Sequence, residues 1–329
     1  VVEERAQRAS RNHPTRAFIT GLAGQDGSYL AEQLLADGLE VHGLIRTPVR
    51  PPFCPPEVVL HPGDVTDHDA TRRLLLEVAP DEVYNLAAVS SVARSWQEPE
   101  LVRAVNGDAA TALMDSALAL QDRTGRPVRL VQASSAEIFG SPATAPQDES
   151  TPIAPTNPYG EAKARAHLAV GEARERGLHA VSAILYNHES PRRPQTFVTR
   201  KITRTVAAIA RGEADELVLG NLEARRDWGW APDHLGAMVL AGRHDLAQDY
   251  VVATGESHSV REFVAAAFAA AGVTGWESRV RIDPTLVRPV DAADLRGDST
   301  RARSALGWRP TKAFADVILA MVESDLRPR

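Results

Sequence analysis

Short apolar runs recur near residues 16–20, 40–45, 57–61, 82–86, 128–134 and 180–186, and between them apolar positions repeat at helical spacing. A brief run rich in Val, Ile and Leu and bounded by turn residues is the pattern of a strand buried on both faces. Strands that alternate with helices must run parallel, so the pattern predicts an α/β fold: a doubly wound, Rossmann-type parallel sheet with helices on both faces. A ligand then lies along the carboxyl ends of the strands. Those ends carry small or polar residues: Gly63-Asp64-Val65 after the third run, Asn85-Leu86-Ala87-Ala88 after the fourth, Ala133-Ser134-Ser135 after the fifth.

After Tyr186 the texture changes. Asn187 to Pro194 is polar and turn-forming, and an amphipathic helix carrying Lys201 is expected from Phe197 to about Arg211. A short strand at 217–219, strand-like residues 249–253, a helix over 260–271, a strand at 279–282 and closing helices near 300–306 and 314–325 complete the reading. The expected division is a mobile tail over 1–14, a dinucleotide-binding domain over 15–186, and a smaller, mainly substrate-binding α/β domain over 187–329. Residues 249–253 are expected to return to the first sheet. Thr47 to Pro56 is too rich in proline for helix or central strand and reads as a loop.

Bulk properties narrow the function. A net charge of −6 over 329 residues argues against general nucleic-acid or membrane-surface binding. No apolar run is long enough to span a bilayer and no signal peptide is visible, which with a single cysteine, Cys54, fits a reducing cytoplasm. Cys54 has no ligand cluster around it, and no metal is expected.

The first βα junction carries the chemistry. Gly21, Gly24 and Gly27 form a G-x-x-G-x-x-G turn between a strand and a helix, which lets the backbone approach a pyrophosphate at the helix N-terminus. The second strand ends in Arg46, where an acidic residue would bind a ribose 2′-hydroxyl. An arginine suits a 2′-phosphate instead, so NADP is favoured over NAD.

Ser135, Glu137, Tyr159 and Lys163 form the candidate reactive centre. Tyr159 and Lys163 lie four apart on a helix expected after Asn157-Pro158, so they share a face. A neighbouring ammonium favours a phenolate, and Tyr159 is expected to be brought down toward the working range as an acid/base. Arg192, Arg193, Arg226 and Arg288 are expected to clamp a diphosphate, since guanidinium matches phosphate oxygens bidentately.

Ile19 to Glu32, Gln132 to Gly140, Asn157 to Lys163, Asn187 to Arg193, Phe197 to Ile202, Leu219 to Gly229 and Ala253 to Phe263 closely resemble GDP-mannose 4,6-dehydratases, which are extended short-chain dehydrogenase/reductases. The resemblance runs from about Arg16 to the C-terminus. It rests most on Gln25-Asp26-Gly27, Asn187-His188-Glu189-Ser190-Pro191-Arg192-Arg193 and Arg226-Asp227-Trp228-Gly229.

The resemblance implies an internal redox dehydration of a nucleotide sugar, with Ser135, Glu137, Tyr159 and Lys163 catalytic. It implies a cofactor site of Gly21, Gly24, Gln25, Asp26, Gly27, Arg46, Asp64, Val65, Leu86, Ala87, Ala88, Ser90, Tyr159, Lys163, His188 and Arg193. It implies substrate contacts from Ser90, Ser135, Glu137, Asn187, Lys201 (against guanine), Arg226, Arg288 and Asp291.

This chain departs from the family pattern at Ser135 (usually Thr), Val89, Ser91, Leu101, Asp291 and Pro194. Thr47 stands for a second Arg, and the proline-dense loop for a longer arm that in many members helps build a tetramer. A homodimer is therefore expected as readily as a tetramer. Another nucleotide hexose, a reductase or epimerase, and a non-catalytic dinucleotide-binding module remain as alternatives.

Overall fold

Seven parallel strands form the centre of the protein in a computed structural model that describes residues 15–286 and 294–327. They are β1 (Arg16–Thr20), β2 (Glu40–Ile45), β3 (Val59–Pro62), β4 (Glu82–Asn85), β5 (Arg129–Ser135), β6 (His179–Leu185) and, after β7 (Asn187–Glu189), β8 (Leu217–Leu219), β9 (Arg225–Arg226) and β10 (Trp228–Trp230), the returning strand β11 (Tyr250–Val252). Their order is β11-β6-β5-β4-β1-β2-β3. The chain winds outward from β1 through β2 to β3, then crosses back to β4 on the other side of β1. The switch in direction opens a crevice between the β1 and β4 carboxyl ends.

Helices cover both faces because strand side chains alternate. Ala17 and Ile19 of β1 pack with Leu30, Ala31 and Leu34 of helix α1 (Gln25–Ala36), whereas Phe18 packs with Leu75 of α2 (His68–Val78). After two short helices, α3 (Val92–Gln97) and α4 (Pro99–Val102), comes a π-turn over Arg103–Asp108; α5 (Ala109–Thr124) and α6 (Pro158–Glu175) then share the α2 face. The crossover from β2 to β3 is the expected proline-dense loop, and its Cys54 and Val58 fill the α1 side where a helix would pack.

A second core joins α7 (Val198–Ala210), β8, Trp228 of β10, α9 (Val260–Ala270) and α11 (Phe314–Leu326). Helix α8 (Ala231–Arg243) returns to the main sheet, where Leu235 and Met238 share the first core with Ala302 of α10 (Thr300–Leu306). Small sheets pair β7 with β10, β8 with β13 (Val280–Ile282), and β9 with both β12 (His258–Ser259) and β14 (Asp294–Leu295). Asp227, fully buried between β9 and β10, accepts hydrogen bonds from Thr254 and from the Gly255 and Gly297 amides, tying the small sheets to the end of β11.

No helix among the described residues is long and apolar enough to cross a membrane. Residues 1–14, Arg288 and Asp291 lie outside the described residues.

Candidate active site

At the end of β1 the backbone turns through Gly21 at φ +73°, and a Cβ there would lie 2.7 Å from the Ala87 amide nitrogen. A Cβ on Gly27 would lie 2.5 Å from the Gly21 carbonyl oxygen. Glycine at these positions thus brings the first turn against the loop after β4. Helix α1 is preceded by Gly24 as its N-cap, which is exposed and supplies no side-chain cap. Its first N–H groups are left for an anion, and a pyrophosphate fits that open cradle.

Buried polar side chains set the strand ends. The Thr20 hydroxyl donates to Asn85 Oδ1 at 2.5 Å and accepts the Ala87 N–H; Asn85 donates to Gln132 Oε1 at 2.7 Å, and Gln132 donates to the Ala133 carbonyl at 2.9 Å. One ladder therefore runs from the glycine turn to the reactive end of β5. Asn106, 1% exposed in the π-turn, accepts the Val89 N–H at 2.8 Å and donates to the Val89 carbonyl at 3.1 Å. That pins the loop carrying Leu86, Ala87 and Ala88, all half-buried, and exposed Ser90.

Ser135, Glu137, Tyr159 and Lys163 converge there. Asn157 caps α6, accepting the Gly160 N–H at 2.8 Å, while its Nδ2 donates to Glu137 Oε2 at 2.9 Å. The residue that starts α6 thus also aims the carboxylate. A Cβ on Gly160 would lie 2.6 Å from the Glu137 carbonyl oxygen, so glycine lets the helix abut the Glu137 turn. Ser135 accepts the Glu137 N–H at 3.3 Å, and its hydroxyl lies beside the Tyr159 phenol. Lys163, 3% exposed, donates to the Ala133 carbonyl at 2.8 Å and stands 5.9 Å from the centre of the Tyr159 ring.

The expected depression of Tyr159 is reversed in this structure. Burial pushes its phenol up to about 12; the Ser135 hydrogen bond pulls it down, and the Glu137 carboxylate adds to the rise. Burial also lowers Lys163 to about 8, and the ammonium is turned to a carbonyl rather than to the phenol oxygen. The free protein therefore holds Tyr159 as a neutral phenol.

Gln25 and Asp26 join the first turn to the segment after β6. Gln25 donates to the His188 carbonyl at 3.2 Å and accepts the Ser190 hydroxyl at 2.7 Å. His188 Nε2 lies 3.1 Å from Asp26 Oδ2, and its Nδ1 lies 2.7 Å from the Tyr186 carbonyl oxygen. Both partners are acceptors, so both ring nitrogens carry protons and His188 is an imidazolium. Burial opposes its charge, but Asp26 outweighs burial and raises His188 above the ordinary 6.5. Burial likewise opposes the Asp26 carboxylate, yet His188, Gln25 and Arg193 hold it well below the ordinary 3.8.

A pH dependence follows from these directions. A raised histidine contributes stability that is full below 6.5 and lost as pH climbs through its folded value; a depressed aspartate contributes above 3.8 and loses it on acidification. The melting-temperature gap between the wild type and His188→Gln is expected to be widest below 6.5 and to narrow as pH rises above it. Thermal melts on either side of 6.5 check this, and a gap that widens with pH would show His188 to be neutral.

The remaining expected residues sort differently. Arg193 pairs with buried Glu189 at 3.3 Å and lies over the Phe197 ring. Arg226 is buried and donates to the Arg225 carbonyl, and Asn187 pairs with Trp228 in the β7–β10 sheet. Arg46 is exposed at the end of β2. Val65 packs against the α2-side core, and Asp64 accepts the Thr66 N–H and hydroxyl, which with Arg46 keep its carboxyl below the usual range.

Arg192 leaves the expected diphosphate clamp. Its guanidinium binds Ser28, Tyr29 and Glu32 of α1, because Glu32 offers it a carboxylate at 2.6 Å. Lys201 lines a 670 Å³ cavity with Gln195, Arg204 and Arg211, and none of the four catalytic candidates lines it. Asn106, Gln132 and Asn157 are the positioning residues that sequence reasoning missed. Only Asn157, standing before a proline at a helix start, had a local signal, that of a cap.

Comparison with known proteins converges with this geometry. A family profile described as GDP-mannose 4,6 dehydratase matches residues 18–321. The chain is 43% identical over 324 residues to GDP-mannose 4,6 dehydratase 1 of Arabidopsis thaliana, covering 94% of this chain and 89% of that protein. Among solved structures it is similar to UDP-glucose 4-epimerase of Thermus thermophilus in complex with NAD, with TM-score 0.83, 29% identity, and 94% and 99% of the two chains covered. It is also similar to RMD from Pseudomonas aeruginosa complexed with NADPH, with TM-score 0.77, 25% identity, and 95% and 99% covered.

Proposed function

The chain belongs to the GDP-mannose 4,6-dehydratase family, and we propose that Ser135, Glu137, Tyr159 and Lys163 carry that dehydration on GDP-mannose while the glycine turn holds NADP. A nicotinamide dinucleotide, when bound, supplies the hydride acceptor for C4 of the hexose and returns the same hydride to C6, ending oxidised as it began.

The chain's own residues manage the protons. Tyr159 takes the proton from the O4 hydroxyl, with Ser135 donating to the phenolate and the Lys163 ammonium stabilising its charge. The 4-ketone so formed acidifies H5. Glu137 removes that proton and delivers it to the departing C6 hydroxyl, which leaves as water. The proton held by Tyr159 then goes to C5 as C6 is reduced, so the balance is substrate minus one water.

The observation that carries this reading is the Glu137 carboxylate, aimed by Asn157 and close enough to the phenol to raise it. Oxidation at C4 alone needs Tyr159; loss of water across C5 and C6 needs a second acid/base, and in this reading Glu137 supplies it. Arg46 at the end of β2 supports NADP over NAD, since it offers a 2′-phosphate a guanidinium. Asn187, Arg226 and Lys201, with Arg288 and Asp291, are assigned to the nucleotide sugar, and Ser90 to the hexose. In this reading residues 15–186 hold the cofactor and 187–329 mainly the sugar nucleotide, and the working unit is a homodimer.

The test is incubation with GDP-mannose, and separately with UDP-, CDP- and dTDP-hexoses, without added reductant, followed by mass spectrometry of the sugar nucleotide and of cofactor released on denaturation. Loss of one water from GDP-mannose alone, with NADP released, is the expected result. Water lost only from another sugar nucleotide moves the substrate and keeps the mechanism; no loss from any of them overturns the dehydratase reading.

A further inference from the structure

The proline-dense crossover between β2 and β3 has no part in the chemistry above, yet it is tied down at both its base and its tip. At the base, Arg50 closes the loop on itself. Its guanidinium donates to the Pro55 carbonyl at 2.6 Å and the Val58 carbonyl at 3.2 Å, and lies 3.4 Å from the Cys54 sulfur. At the tip, Phe53 is 52% exposed, so its ring is open to a neighbouring side chain.

Arg192 is that neighbour. Its guanidinium lies 3.8 Å from the Tyr29 ring centre and 5.0 Å from the Phe53 ring centre, within cation–π range of both. It also donates to the Ser28 hydroxyl at 3.0 Å and to Glu32 at 2.6 Å. The Arg192 amide in turn donates to the Ser190 hydroxyl, which bonds Gln25. One side chain thus joins three segments remote in sequence: residues 28–32 of α1, the β2–β3 crossover, and the segment after β7.

The crossover so held is the segment that leaves the end of β2 at Arg46. In a doubly wound sheet, the β2 side of the switch point takes the adenosine half of a dinucleotide. We propose that Tyr29, Arg192 and Phe53 form a strap that holds the β2–β3 crossover closed beside the adenosine end of the cofactor and slows its departure. The proposal rests on the cofactor reading given above. Phe53 and Arg192 are positioning residues in it: they hold the segment that starts at Arg46 and need not touch the dinucleotide themselves. Retention suits a reaction that returns its hydride, because a cofactor that never has to leave between turnovers gains from a slow exit.

Two measurements on the full chain test the strap. In the first, the protein is loaded with NADPH, chased with excess NADP⁺, and the release rate read by loss of bound fluorescence. Phe53→Ala is expected to release NADPH about fivefold faster, the loss of one cation–π contact, and Phe53→Tyr to release it at the wild-type rate. In the second, the cofactor-free protein is treated with trypsin and cleavage at the Arg46–Thr47 bond is followed. Phe53→Ala is expected to be cut faster there, with an unchanged melting temperature.

Release from Phe53→Ala at the wild-type rate overturns the strap, and so does equal cleavage of the two proteins. A wild type that binds no NADPH sinks the cofactor reading instead. The trypsin comparison, made without cofactor, keeps that failure separate from an open crossover.

Discussion

Glu137→Gln is expected to lower net dehydration of GDP-mannose by about a thousandfold, within the range that a positioned acid/base contributes, while NADP binding stays near wild type. The substitution keeps the shape of the side chain and its Oε1, so the hydrogen bond from Asn157 Nδ2, 2.9 Å in the wild type, has an acceptor in the variant. What is lost is the capacity to take H5. Oxidation at C4 belongs to Tyr159 and should continue, so the variant stalls with the 4-ketone formed and the cofactor reduced. Rapid mixing with substrate should show reduced cofactor accumulating to about one equivalent, an outcome ordinary loss of fold cannot produce. Equal turnover in the variant would remove Glu137 from the mechanism.

Asn157 gives this prediction a structural companion. Asn157→Ala removes the donor that aims Glu137 and the cap of α6 together, so its effect divides between stability and rate. Asn157→Asp separates the two, since it still caps the helix but sets a carboxylate against Glu137. That repulsion should slow turnover more than it lowers melting temperature.

How much of this was legible in the sequence depends on which physical signal each residue carries. The sheet was legible because β1, β2, β4, β5 and β6 are buried on both faces and read as apolar runs, and because Gly21 and Gly27 sit where any Cβ would strike backbone. β3 was placed early, at 57–61 rather than Val59–Pro62, since it is an edge strand and only partly buried. The acid/base set was legible through spacing and resemblance. Its electrostatics were not: the i, i+4 spacing of Tyr159 and Lys163 says they share a face, but neither that both are buried nor that Ala133 takes the ammonium.

Pairing across the fold was the least visible. Thr20, Asn85 and Gln132 are ordinary polar residues until three strands bring them into one ladder, and Asn106 acts only through a π-turn that has no sequence period. Arg192 was misassigned for the same reason. An arginine beside Arg193 reads as a clamp, and only the tertiary structure supplies the Glu32 carboxylate and the two rings that claim it.

Tyr159→Phe is the second substitution with a large expected effect, a loss on the order of a thousandfold or more in turnover. Its signature should differ from that of Glu137→Gln. With the phenol gone the O4 proton has no acceptor, so neither keto sugar nor reduced cofactor should appear. The wild-type pH profile bears on the same residue. The free protein holds the phenol at about 12, raised first by burial, so the phenolate is scarce near neutrality and must be drawn out by charge.

Lys163 supplies that charge only while protonated, and burial brings it to about 8. Activity should therefore rise with pH as phenolate becomes available and level off above about pH 8, where loss of the Lys163 proton offsets the growing phenolate fraction. Lys163→Arg, which stays charged, should let the rise continue above pH 8 even if it lowers activity throughout. A plateau that survives unchanged in Lys163→Arg would assign it to another group and leave Lys163 as a structural contact to Ala133.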